Sequence, residues 1–160
     1  MAESLSLDRT DLRLLALLQQ DGRATNTDIA AQISLSPSAC LRRIQRLEAA
    51  GVIQGYAALV DPKAVGLGLQ AFVRVQLEKH GQAGLDPFIE GVNNWDEVVA
   101  CHALTGDMDY LLHVVVQDLE HFSQFLLDKL INATGVADVN SSFVLRTVKQ
   151  TRALPLGHLA

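Results

Sequence analysis

Three arginines within five positions, Arg42, Arg43 and Arg46, form a dense positive cluster in a 160-residue chain whose formal net charge is −5. Ser36 and Ser38 stand just ahead of them. A guanidinium can bond a guanine edge through two N–H donors, and a serine hydroxyl can bond a phosphate or a base. Such a set on one helix face therefore suits the major groove of double-stranded DNA. The alternative is a three-helix bundle whose outer face is merely solvated. Catalytic chemistry has a weaker footing. Cys101-His102 pairs a thiol with a base, but neighbours on a strand point to opposite faces and cannot meet. The five histidines, His80, His102, His113, His121 and His158, show no H-x-x-x-H spacing, so no metal site is expected. Neither a Walker A loop nor GxGxxG is found, and no cofactor is expected.

The arginines need a helix to present them. Ser36 is a natural N-cap, Pro37 fits the first helical position, where its missing N–H costs nothing, and Gly51 stops the helix after Ala50. Cys40, Leu41, Ile44 and Leu47 make its apolar stripe. Ser38, Arg42, Gln45 and Ala49 make another face, with Arg43 and Arg46 at its flanks. A short helix from Thr25 to Gln32 precedes it, with Ile29 and Ile33 inward. Before that, Asp8 caps a first helix, with Asp11 placed for the N-terminal dipole. Leu12, Leu15, Ala16 and Leu18 recur at helical spacing there, Leu14 and Leu17 widen the face, and Gly22 follows. Residues 51–60 read as a strand pair turning at Gln54-Gly55, or as one strand entering a second module.

The charge supports two modules. Residues 1–60 hold six basic and six acidic groups, so the 7 basic and 12 acidic groups of residues 61–160 account for the whole −5. An acidic total is thus compatible with a local basic surface. The second module alternates over 70–78, supports a helix over 86–94, strands over 98–104 and 110–116, a helix over 119–131 and a strand over 139–148. That order predicts a ferredoxin-like βαββαβ sheet with both helices on one face. The third strand is apolar on both sides (Tyr110, Leu112, Val114 and Val116 against Leu111 and Val115). A second copy covering the open sheet face is the economical answer. The expected division is a helix-turn-helix domain over 1–60, a linker over 61–69 and a second, oligomerising domain over 70–160.

Hydrophobic residues make up 49% and charged residues 19%, enough to bury a core. No apolar run approaches the roughly 20 residues of a membrane span, and the first residues carry acids without an apolar stretch. Cys40 and Cys101 lie far apart. These features lead us to expect a cytoplasmic protein without a disulfide framework.

The chain resembles the Lrp/AsnC (leucine-responsive, feast/famine) transcriptional regulators. The resemblance covers nearly its whole length. It is carried by LDRTDLRLLALLQQDGRATNTDIA, LSPSACLRRIQRLEAAGVIQGYAALVDP, GDMDYLLHV and SSFVLRTVKQT. It implies an α+β protein: a winged-type helix-turn-helix, a linking strand and a βαββαβ effector domain. It also implies dimers, often assembled into octamers, that answer to an amino acid. The resemblance places the effector pocket between dimers at the turn joining the second and third strands of the effector domain. Here that turn is Leu104, Thr105, Gly106, Asp107, Met108, Asp109 and Tyr110. A zwitterionic amino acid needs a carboxylate for its ammonium, which Asp107 or Asp109 can supply. It also needs N–H donors for its carboxylate, which the backbone at Gly106 can offer. Ser141 and Ser142 are expected to complete the pocket from a neighbouring subunit. Leu104 and Met108 favour leucine or methionine as effector. Sirohaem decarboxylases resemble the same family and provide the enzyme alternative. Their polycarboxylate substrate calls for a cationic pocket, whereas the second module has only seven Lys and Arg. The regulator is the preferred reading, with Ser36, Ser38, Arg42, Arg43 and Arg46 reading DNA and no enzymatic activity expected.

Overall fold

The computed structural model describes residues 6–78 and 85–159, so His80 lies outside the described residues. The chain divides into two compact units, 1–59 with 149–160, and 60–148.

The first unit holds three helices, α1 (Arg9–Gln20), α2 (Asn26–Gln32) and α3 (Pro37–Ala49). Each starts on the cap its sequence offers: Asp8, Thr25 and Ser36 all accept a backbone N–H three residues on. Asp8 and Asp11 form a reciprocal capping box. Gly51 ends α3 at φ 70°, a left-handed conformation that glycine adopts without strain. Leu14, Leu15, Ile29, Ala30, Ile33, Cys40 and Leu47 form the core. Cys40 is a fully buried packing residue. Leu41, expected in the apolar stripe, is 46% exposed. Residues 149–159, read from sequence as part of the second module, pack with the helices. Leu156 joins this core, and Gln19 exchanges two hydrogen bonds with the backbone of Leu154. The strand expected within 51–60 has no ladder partner among the described residues. Val52 and Ile53 N–H groups turn back onto the Leu47 carbonyl, and Leu59 and Val60 stand exposed. Short apolar runs between glycines suggest strands, but a strand exists only where another supplies its hydrogen bonds.

The second unit is a four-stranded antiparallel sheet ordered β2-β3-β1-β4. Its elements are β1 (Leu69–Leu77), α4 (Leu85–Asn94), β2 (Val98–Ala103), β3 (Tyr110–Val116), α5 (Leu119–Gln124) and β4 (Val136–Phe143). α5 runs on as a π-helical stretch, Phe125–Leu130. This is the ferredoxin-like arrangement expected, although the last strand begins and ends earlier than the 139–148 read from sequence. Both helices cover one face. Phe88 and Val92 from α4, with Phe122, Phe125 and Leu130, pack on Ala71, Val73 and Val75 of β1 and on Leu112, Val114 and Val116 of β3. The alternate residues of these central strands lie on the other face: Phe72 and Arg74 on β1, Leu111, His113 and Val115 on β3. There Phe72 stacks on His113 with ring centroids 4.8 Å apart, and Arg74 donates to Asn140 Oδ1. Phe72 remains 41% exposed.

Candidate nucleic-acid interface and effector turn

The turn entering α3 is set by Ser34, a non-glycine residue with positive φ, 58°. The Leu35 N–H closes it on the Ala30 carbonyl. Ser36 then caps α3, its Oγ accepting from the Ala39 N–H and lying 3.2 Å from Ser38 Oγ. Ser36, Ser38, Arg42 and Gln45 are all exposed. Arg42 makes no hydrogen bond or ion pair with the described residues, so its guanidinium is available to a partner.

Arg43 and Arg46 are placed differently. Arg43 bonds Asp8 Oδ2 at 2.7 Å and Asp11 Oδ1 at 2.8 Å, and Arg46 bonds Asp11 Oδ2. The Asp11 side chain is 0% exposed, while those of Arg43 and Arg46 retain 30% and 43% exposure. The backbone N–H of Asp11 and the guanidinium of Arg43 hold the Asp8 carboxyl below the usual carboxylate range. The same pairing with Asp8 and Asp11 raises Arg43 above its ordinary value. From sequence Asp11 served only the N-terminal dipole of α1. Its hold on α3 is invisible in one dimension, because the crossing of two helices brings residues 8 and 11 to residues 43 and 46. Two further bonds tether the ends of α3. Asn26 Nδ2 donates to the Pro37 carbonyl at 2.7 Å, and Tyr56 Oη donates to Glu48 Oε1 at 2.9 Å.

In the second unit the 104–109 turn joins β2 to β3. The Leu104 N–H donates to the Asp109 carbonyl at 2.8 Å, closing it. Asp109 then ties the turn to β1: its N–H donates to the Val75 carbonyl and its Oδ2 accepts from the Leu77 N–H at 2.7 Å. Leu77 follows an irregularity in the β1–β4 ladder, which frees that N–H for a side chain. Asp107 is exposed and makes no hydrogen bond with the described residues. Gly106 sits at φ 126° with open space where a Cβ would project, so its backbone is approachable. Leu104 is exposed and Met108 half-buried, and Tyr110 packs at 5.1 Å against Phe88.

The two serines do not reach this turn within one chain. Ser141 pairs with Val73 and Ser142 with Phe72 on β4, the edge strand beyond β1 from β3. They also face opposite sides of the sheet: Ser141 shares the helix-covered side with Val73, and Ser142 shares the open side with Phe72. A polar cleft of about 310 Å³ near Gln117, Asp118 and His121 lies past the other end of β3.

A helix-turn-helix with an exposed Ser–Arg face, carried by a chain whose second unit is a βαββαβ sheet with an approachable turn, defines a DNA-binding regulator with a ligand-sensing domain. The winged helix-turn-helix DNA-binding family matches residues 7–54, and the Lrp/AsnC ligand binding domain family matches residues 70–154. The chain belongs to the Lrp/AsnC family of transcriptional regulators. It is 34% identical over 155 residues to the transcriptional regulator AzlB of Bacillus subtilis, covering 97% of this chain and 99% of that one. It is 37% identical over 148 residues to the leucine-responsive regulatory protein of Escherichia coli, covering 92% and 90%. A Neisseria meningitidis transcriptional regulator solved as its L-methionine complex superposes with a TM-score of 0.93 at 48% identity, covering 96% and 99%. These relatives are regulators, and among the described residues no helix is long and apolar enough to cross a membrane.

Proposed function

We propose that this chain is a cytoplasmic homo-oligomeric regulator that binds double-stranded DNA through α3 and answers to an apolar amino acid, with L-methionine the first choice and L-leucine the second. The observation that carries the effector class is the 48% identical Neisseria meningitidis regulator, whose complex contains L-methionine. The exposed glycine turn of this chain, with an unengaged Asp107 beside it, has the chemistry a free amino acid requires.

Ser36, Ser38 and Arg42 form the reading face, with Arg42 the residue best able to bond a base edge. Arg43 and Arg46 add positive field near the phosphates while anchored to α1. In the effector domain, Asp107 receives the ammonium and the backbone near Gly106 the carboxylate. Asp109 shapes the turn, Leu104, Met108 and Tyr110 border the effector side chain, and Thr105 can add a hydroxyl. Ser141 and Ser142 act from a neighbouring subunit or not at all, since their own β4 is two strands away from β3. The open sheet face, with Phe72, Leu111, His113 and Val115, is the dimer face, and octamers build on it. Helix-turn-helix, linker and effector domain follow the 1–60, 61–69 and 70–160 division, with the last residues returning to pack on the helices.

The test is a gel-shift assay on a duplex that the protein enriches from a random-sequence pool, with and without millimolar L-methionine. The reading expects discrete complexes whose affinity or mobility changes with methionine. An absence of sequence enrichment would remove the DNA reading. Enrichment indifferent to every apolar amino acid would remove the effector.

A further inference from the structure

We infer that Asp11 is a positioning residue for DNA reading: its buried carboxylate, holding Arg43 and Arg46 together, fixes the rotation of α3 about its own axis and so aims Arg42. The inference rests on the reading of α3 as the helix that enters the groove. It adds a residue on a different helix, one that bonds Arg43 and Arg46 without itself lying on the reading face.

The ends of α3 are tethered by single bonds from Asn26 and Tyr56. A tether at a helix end limits translation and tilt but leaves rotation about the axis to the packing. The packing here is Cys40 and Leu47, both fully buried, with Ile44 partly buried and Leu41 outside the core. Aliphatic contacts of this kind are non-directional and tolerate small rotations. The Asp11 contact does not. Its two oxygens are divided between guanidiniums one helical turn apart, and the carboxylate has no exposure to water through which to find substitutes. A buried charge in that position must keep both partners, because losing one leaves ionised oxygen without compensation. Asp8 extends the hold through Arg43 while the capping box locks both acids to the start of α1.

Small rotations matter at the reading face. A side chain carried about 6 Å from the helix axis moves by about 1 Å for a rotation of about 10°. Bidentate contact to a base edge tolerates little more than that. The clamp also sets the field of α3. Two guanidiniums meet two carboxylates, leaving Arg42 as the helix's arginine without an acidic partner among the described residues. Simple electrostatics and positioning therefore make opposite predictions for Asp11. Removing an acid near phosphates should tighten binding to any DNA, whereas loosening the clamp should weaken binding to the preferred sequence alone.

The experiment uses the intact oligomer, two duplexes and three variants. One duplex is enriched by the wild-type protein from a random pool, and the other is a random sequence of equal length. Binding is measured well below the thermal transition of each variant. Asp11→Asn should bind the enriched duplex about tenfold more weakly, of the order of one lost specific base contact, and the random duplex equally or more tightly. Asp8→Asn keeps a good helix cap, because asparagine caps as well as aspartate, but weakens the grip on Arg43. It should lower the ratio of enriched to random affinity by about two- to threefold, and it decides the matter if Asp11→Asn does not fold. An unchanged or increased ratio in these variants overturns the positioning role. Arg42→Ala separates the two levels: if it too keeps full affinity for the enriched duplex, the chosen face of α3 is wrong. If it alone loses affinity, the face is right and the role of Asp11 is refuted.

Discussion

Helix α3 and the 104–109 turn both present polar groups to solvent, yet they are held by opposite means. α3 is gripped by charged side chains from another helix, centred on a carboxylate with no exposure, and capped by serine and glycine at its ends. The 104–109 turn is held by three hydrogen bonds that all pass through Asp109, and its tip at Gly106 faces open space. A surface that reads a rigid duplex gains from being fixed before it binds, since any ordering would be charged against affinity. A surface that senses a small molecule can be left unfinished, with a second copy and the ligand completing it.

That contrast can be broken by substitution. The largest effect on stability is expected for Arg46→Ala, which leaves the buried Asp11 with Arg43 as its one cationic partner among the described residues. Breaking a fully buried pair costs roughly 3–5 kcal/mol, and because Arg46 is partly solvated we expect about 2–3 kcal/mol by denaturant unfolding. Arg42→Ala should change stability by less than about 0.5 kcal/mol. It should nevertheless cost about 1–3 kcal/mol of discrimination on an enriched duplex. Stability and DNA affinity thus separate between two arginines four residues apart. In the turn, Asp109→Ala removes the acceptor of the Leu77 N–H and should cost about 1 kcal/mol, while Asp107→Ala should leave stability within about 0.5 kcal/mol.

The smallest effects concern pH. Asp8 has its carboxyl lowered in the folded chain, so near the carboxylate range the unfolded chain binds more protons. Its contribution is present in full above the ordinary carboxylate range and is lost as pH falls through the lowered folded value. Asp8→Asn should flatten that part of the profile, measured as denaturation midpoint against pH. Burial lowers His113 in the same structure, which favours its neutral form. Stability at the open sheet face should therefore decline as pH falls through the ordinary imidazole range and His113 is forced to charge in its half-buried place against Phe72 and Gln70. If that face is the dimer contact, sedimentation should show association weakening over the same interval, and His113→Gln should remove the dependence.

Much of the fold was legible because local signals agreed. Ser36-Pro37 and Gly51 bracket α3, Asp8 and Thr25 cap the other helices, and the period-two pattern of β1 with the all-apolar run of β3 marks the two central strands of the sheet. The candidate site was legible only to the level of residue type. Three arginines close together looked equivalent, yet helix geometry turns Arg43 and Arg46 toward α1 and leaves Arg42 outward. Two neighbouring serines looked like one contribution, yet the pleat sends them to opposite faces. Asp107 and Asp109 looked interchangeable until the β1 irregularity claimed one of them. Each of these distinctions depends on a partner distant in sequence. The 51–60 segment is the converse case: it reads from sequence as one or two strands, yet it forms none, because the described residues of its own chain supply no ladder.

We propose control of a DNA-binding regulator by an apolar amino acid at the 104–109 turn. The most direct measurement is calorimetric titration of L-methionine into the intact oligomer, the Asp107→Asn variant and the Arg42→Ala variant. The account predicts saturable heat for the wild-type protein and for Arg42→Ala, with heat lost or affinity at least about tenfold lower for Asp107→Asn, the loss of a charged partner to an ammonium. No heat from methionine, leucine or any other apolar amino acid would contradict it, as would undiminished binding by Asp107→Asn.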